Sequence, residues 1–182
     1  MLRRVIDGIS SRVTRLSLRR KALKLHAANV MRLEIPAASC LYLCYGNIMR
    51  SPFAEKLAKA QRTELRVGGG GFHPNTGRAC PPACVATAQQ FDIDLGTHRS
   101  RAATIDDVRS FDVIFVTDLR VLGLLLDQFP SAADRVLMLG LFGAEPSVEI
   151  PDPWGHELEI VQACYRRISS AVSDVSQRIP KR

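Results

Sequence analysis

Residues 39–52 read SCLYLCYGNIMRSP. SCLYLC is a short apolar run suited to a buried strand, and Gly46-Asn47 marks a turn directly behind it. From Ser51 the pattern SPFAEKLAKAQRTEL is helical. Ser51 stands where an N-cap belongs, and Pro52 at the first helical position, where a missing N–H costs nothing. Glu55 lies one residue beyond capping-box spacing from Ser51. The stretch therefore reads strand, tight loop, helix. In open α/β sheets such a loop, at the carboxyl end of a strand, is where ligands bind.

Working outward, the same alternation repeats. RVGGGGFHP is extended, PPACVATAQQF helical, FDVIFVTD a buried strand, DLRVLGLLLDQF a helix and DRVLMLGLF another strand. A loop holding IPDPWG precedes HELEIVQACYRRISSAVSDVSQRI, an amphipathic helix. Strands alternating with helices predict an α/β fold, doubly wound around a four-stranded parallel sheet flanked by helices, with a basic N-terminal extension.

The chain has 182 residues and a net charge of +7. The charge is uneven. Residues 1–34 hold nine Arg/Lys against Asp7 and Glu34, while residues 35–182 hold sixteen basic and sixteen acidic side chains. The division expected is an arm over 1–37, helical in part, and a folded domain over 38–182. Ile9, Val13 and Leu16 recur at helical spacing, with Arg12, Arg15 and Arg19 on another face; Gly8 and Ser10-Ser11 weaken that helix. Pro36 ends the arm. The basicity belongs to the arm, so nucleic-acid binding by the domain is not expected. Weak contact of the arm with an anionic surface is an expectation from charge, beside a plain solvated extension or an organellar targeting segment. No apolar run reaches the ~20 residues of a membrane span. Five cysteines without CxxC spacing argue against a zinc site or a disulfide framework. Cys80 and Cys84, four apart on one helix, read as structural, as do Cys40 and Cys164; His73 and His156 read as loop residues.

The chemistry concentrates in Cys44-Tyr45-Gly46-Asn47-Ile48-Met49-Arg50-Ser51-Pro52. Backbone N–H groups of the loop can converge on an anion, and the helix behind adds its own free N–H groups and dipole. Arg50 offers a planar fork matched to phosphate oxygens. The donors that hold a phosphate also stabilise a thiolate at Cys44. That thiolate is an in-line nucleophile for phosphorus, and one carboxyl group can serve as acid and then base. A bare C-x5-R is a weak signal; strand, Gly-Asn and Ser-Pro around it make it strong.

CYGNIMRSPFAEKL resembles the signature of the low-molecular-weight protein tyrosine phosphatases. The resemblance continues through GFHPNTGR, FDIDLGTHRSR, FDVIFVTD and IPDPWG, in the family's order, and covers roughly residues 39–178. It implies Cys44 as nucleophile, Arg50 as phosphate binder and transition-state stabiliser, and Asp152 as general acid and base. It implies a phosphate cradle of Tyr45, Gly46, Asn47, Ile48, Met49, Arg50 and Ser51, with Tyr45 and Trp154 walling the cleft. Asn47, Ser51 and His98 would support the loop. It implies no metal or organic cofactor, a phosphotyrosine protein substrate, and a cytoplasmic enzyme.

Three departures stand out. Met49 occupies a position where many members carry a second cysteine, removing a thiol that can trap an oxidised nucleophile. Gly69 replaces a serine, so one bracing hydrogen bond is expected to be missing. Trp154 is a single aromatic where others have two. Two further readings stay beside the phosphatase: arsenate reduction on the same scaffold, which lacks its relay cysteines in DLRVLGLLLDQF, and a catalytically weak phosphate-binding regulatory protein.

Overall fold

The computed structural model describes residues 2–36 and 38–181, with side chains from residue 14 onward. Ile9, Arg12 and Val13 of the expected amphipathic pattern therefore lie outside the described side chains. In chain order the elements are helix α1 (Leu2–Asn29), β1 (Cys40–Cys44), α2 (Arg50–Gln61), β2 (Val67–Gly71) and α3 (Pro82–Gln89). Then follow α4 (Ile105–Ser110), β3 (Val113–Val116), α5 (Leu119–Gln128), β4 (Val136–Met138) and α6 (Leu158–Arg178).

The four strands form one sheet in the order β2-β1-β3-β4, all parallel. A parallel sheet needs both faces covered, and strand alternation supplies two apolar faces. Tyr42, Phe115 and Leu137 look toward a core completed by α2, α3 and α6. Leu41, Leu43, Ile114 and Val116 look the other way, onto α5 and α1. The fold is thus the doubly wound four-stranded sheet that the alternation predicts. Three details differ. The fourth strand-like run, DRVLMLGLF, pairs over only Val136–Met138 and then turns into a short 3-10 helix. Helix α4 was not foreseen; Thr104 and Asp107 close a reciprocal capping box on its six residues. Helix α2 begins at Arg50 with Met49 as its cap, not at Ser51. The Ser51 hydroxyl is turned instead toward the loop, and Pro52 still sits in the first turn, where no intrahelical N–H bond is lost.

Helix α1 lies along the outer edge of β4. Ala22 is buried against α5 and β4, with Leu18 and Leu25 beside it. Met138 N donates to His26 Nδ1 at 3.3 Å, and Asn29 Nδ2 donates to the carbonyls of Ala133 and Val136 at 2.9 and 3.1 Å. Val136 C=O and Met138 N–H are the edge groups that no strand pairs. The helix satisfies them with side chains. The contacts also fix direction: the chain runs along α1 opposite to β4, so the N-terminal end of α1 points toward the carboxyl ends of the strands.

Candidate active site

Strand β1 delivers Cys44 to the end of the sheet, and the loop 45–49 folds around its sulfur. Asn47 N donates to Cys44 Sγ at 3.2 Å, and Ser51 Oγ lies 3.1 Å from the same sulfur. The Ser51 hydroxyl has one proton, shared in choice between that sulfur and the carbonyl of Gly70 at 3.2 Å.

The loop is held from outside, carbonyl by carbonyl. Tyr45 C=O accepts from the N–H groups of Phe72 and His73 at 2.8 and 3.0 Å, and Gly46 C=O from Arg78 at 2.7 Å. Asn47 C=O accepts from His98 Nε2 at 2.8 Å, and Met49 C=O from the Tyr165 hydroxyl at 3.0 Å. Across a trans peptide the next N–H points opposite to the carbonyl. Tying these four carbonyls outward therefore turns the N–H groups of Gly46, Asn47, Ile48 and Arg50 inward.

Asn47 makes the turn possible. Its φ of +49° is left-handed, a conformation asparagine tolerates better than most residues. Its side chain then locks the turn: Nδ2 donates to Ser51 Oγ at 2.9 Å and Oδ1 accepts from Arg101 N at 2.9 Å. Gly71 is required next door, because a Cβ there would meet Tyr45 O at 2.7 Å. At Gly69 no bracing hydroxyl exists; the Glu55 carboxylate fills the space a side chain would take. Burial raises the Glu55 carboxyl above its ordinary range, opposed by Arg101, Lys59 and Lys56.

Arg50 is buried and fully engaged on one side. Nη1 donates to Asp118 Oδ2 at 2.6 Å and to the carbonyl of Ile150 at 3.0 Å; Nη2 donates to Asp152 Oδ2 at 2.7 Å. Nε is buried without a partner. Of five N–H groups, two remain, the Nε–H and one on Nη2, side by side on one edge of the fork. Burial would weaken the guanidinium charge, but the negative charge at Cys44, Asp118 and Asp152 outweighs it and raises its pKa.

Above the loop lies a cleft of about 230 Å³. Tyr45 forms one wall, with the Arg120 guanidinium 3.6 Å from its ring centroid and the His73 ring edge-on at 5.4 Å. Asp152 and Trp154 form the mouth, and Trp154 is 63% exposed. Trp154 N donates to Asp152 Oδ1 at 3.3 Å. The loop bearing Asp152 is anchored by Ile150 N, which donates to Thr117 O at 2.8 Å.

Every residue expected from the sequence stands in or around this cleft. Cys44, Arg50, Asp152, Tyr45 and Trp154 meet there, and Asn47, Ser51 and His98 brace it. Burial, together with Lys56, Arg99 and Arg101, pulls the His98 pKa down, against the pull of its bond to Asn47. A neutral ring donating from Nε2 suits a brace. The sequence reading missed Asp118, Arg78, Arg120 and Tyr165, and placed His73 in a plain loop when it lines the cleft. Asp118 ends the quoted FDVIFVTD; a carboxylate at the carboxyl end of a central strand was the available signal. Burial pushes Cys40, Cys80 and Cys164 up to about 12 and raises Cys84. Among the described residues, no cluster of three His, Cys, Asp or Glu is placed to hold a metal ion.

The family model for low molecular weight phosphotyrosine protein phosphatase matches residues 39–182. The chain belongs to this family. Among curated relatives, low molecular weight protein-tyrosine-phosphatase Wzb of Salmonella typhi is 29% identical over 76% of this chain and 92% of its own length. The solved tyrosine phosphatase AmsI of Erwinia amylovora superposes with a TM-score of 0.73 at 25% identity, covering 78% of this chain and 93% of that one. The YwlE arginine phosphatase of Geobacillus stearothermophilus superposes at 0.70 and 20% identity, covering 77% and 91%; at that identity the likeness is one of fold. The matched region of the family model begins after α1 and the short 3-10 helix Val30–Glu34.

Proposed function

We propose that this phosphatase hydrolyses phosphotyrosine in proteins, and aryl phosphates in general, through a cysteinyl-phosphate intermediate. One observation carries the reading. A cysteine sulfur sits at the centre of inward-turned amides, beside a buried arginine whose last two N–H groups share one edge. That is a cradle for a tetrahedral dianion with a nucleophile at its base.

In this reading Cys44 Sγ attacks phosphorus in line and the S–P bond forms as the P–O bond to the tyrosine ring breaks. Arg50 and the amides of residues 45–50 follow the charge on the equatorial oxygens. Asp152, at the cleft mouth, gives its proton to the departing phenolate. It then takes a proton from the water that splits the S–P bond, and inorganic phosphate leaves. Asp118 positions Arg50 rather than touching the substrate. Tyr45, His73 and Trp154 offer flat walls to an aromatic leaving group.

We assign catalysis to residues 38–182 and treat 1–37 as an attached arm. All five cysteines are free. Such a chemistry suits a reducing compartment, and we place the enzyme in the cytoplasm. Among the described residues no helix is long and apolar enough to cross a membrane.

The test is hydrolysis of an aryl phosphate by wild type, Cys44→Ser and Asp152→Ala, with phosphoarginine as competitor substrate. The reading expects turnover by wild type only, an acid-quenched phosphocysteine detectable by mass, and preference for the aryl ester. Turnover by Cys44→Ser, or preference for phosphoarginine, would overturn it.

A further inference from the structure

Over its described side chains, helix α1 buries one face and leaves the other exposed. Ala22, Leu18, Leu25 and Asn29 face the domain. On the opposite side Leu16 and Leu23 are 52% and 43% exposed, and Met31, just past the helix, is 62% exposed. At 100° per residue Leu16, Arg20, Leu23 and Ala27 fall within about 60° of one another. They form an outward stripe, flanked by Arg19 and Lys24.

The charge on this face is unbalanced. No acidic residue occurs between Asp7 and Glu34. Arg15 and Arg32 are paired, to Glu149 and Asp134. Among the described residues Arg19, Arg20, Lys21 and Lys24 make no ion pair, and all four are exposed. A stripe of exposed leucines between unpaired cations matches a surface with negative headgroups and an apolar layer beneath. Nucleic acid would answer the cations but not the leucines, and the segment before Pro36 has no aromatic residue for a base to stack on.

We propose that the outer face of α1 docks the enzyme on an anionic lipid bilayer. The helix lies in the interface with Leu16 and Leu23 dipping among the acyl chains and Arg19, Arg20 and Lys24 at the headgroups. Because α1 runs alongside β4, the strands then lie along the bilayer and the cleft opens sideways, parallel to the lipid surface.

The experiment is sedimentation of the full chain with phosphatidylglycerol or phosphatidylcholine vesicles at low and high salt. Two variants accompany it: Arg19→Glu/Arg20→Glu/Lys24→Glu and Leu16→Ser/Leu23→Ser. The expected result is partition onto phosphatidylglycerol only, at least about tenfold weaker with the charge-reversed variant and at high salt. The leucine variant should lose several-fold more than a surface change without contact would. Thermal unfolding and aryl phosphate turnover in solution should be unchanged in both variants. Absence of sedimentation overturns the proposal. So does binding that both variants retain, or tighter binding of single-stranded DNA than of vesicles at the same salt. Turnover is read separately, so failure of the phosphatase reading would not imitate any of these outcomes.

Discussion

The phosphate loop and helix α1 are both fixed by side chains reaching backbone groups, yet they are fixed for different ends. In the loop, Arg78, His98 and Tyr165 hold carbonyls outward so that amides face the Cys44 sulfur. At the helix, His26 and Asn29 simply close hydrogen bonds that the edge strand leaves open. The same kind of bond builds reactivity in one place and cohesion in the other. Substitutions should therefore separate turnover from stability according to region.

The sharpest separation is expected at Cys44. Cys44→Ser should lose turnover by about 10⁴-fold or more while the folded protein still binds vanadate. Asp152→Ala should cost roughly 10²–10⁴-fold in kcat, with the loss largest for leaving groups that most need a proton. Asn47→Ala would blur the comparison, since it removes both a left-handed residue and its locks. The expected cost is on the order of 10²-fold in kcat and about 1–3 kcal/mol in stability, read by rate and by urea midpoint. At the helix the balance reverses. Asn29→Ala leaves the carbonyls of Val136, buried, and Ala133, part-buried, without their side-chain donor and should cost about 1–3 kcal/mol with kcat unchanged.

A pH series refines the loop side. His98 takes up its proton less readily in the folded chain than in the unfolded one. Its neutral form thus contributes stability fully above pH 6.5, and that contribution declines as pH falls from 6.5 through the lowered folded value. His98→Asn should flatten that part of the stability curve.

The smallest effect is expected at Arg15, whose side chain is 71% exposed against Glu149 at 2.6 Å. Arg15→Ala should cost about 0.5 kcal/mol or less. A larger change in kcat than in stability would mean that α1 reaches the loop bearing Asp152, since Glu149 lies in that stretch and also accepts from Leu119 N at 3.3 Å, one residue after Asp118.

What could be read beforehand follows the same division. The loop announces itself locally: apolar strand, Gly-Asn, arginine, Ser-Pro. Even there, Ser51 reads both as a helix cap and as a support of the loop, and local pattern alone cannot choose between them; the helix caps at Met49, and the Ser51 hydroxyl lies against the Cys44 sulfur. Asp118, Arg78 and Tyr165 reach the loop from 68, 32 and 116 positions away in sequence. Such contacts leave no local pattern. The six-residue α4 is too short for periodicity to register, although its Thr104–Asp107 cap was visible in outline. For the arm, composition spoke of charge, whereas its docking depends on Ala22, His26 and Asn29, which recur at helical spacing but are small or polar and so do not mark an apolar face.

The coverage of the β4 edge by α1 has a consequence for where this protein can be cut. The family match begins at residue 39, but the hydrogen bonds of Val136 and Met138 are completed by residues 26 and 29. A chain trimmed to its region of kinship would keep the cleft intact and carry a wet, adhesive sheet edge. The unit recognisable by descent and the unit whose sheet edge is closed are, in this chain, of two different lengths.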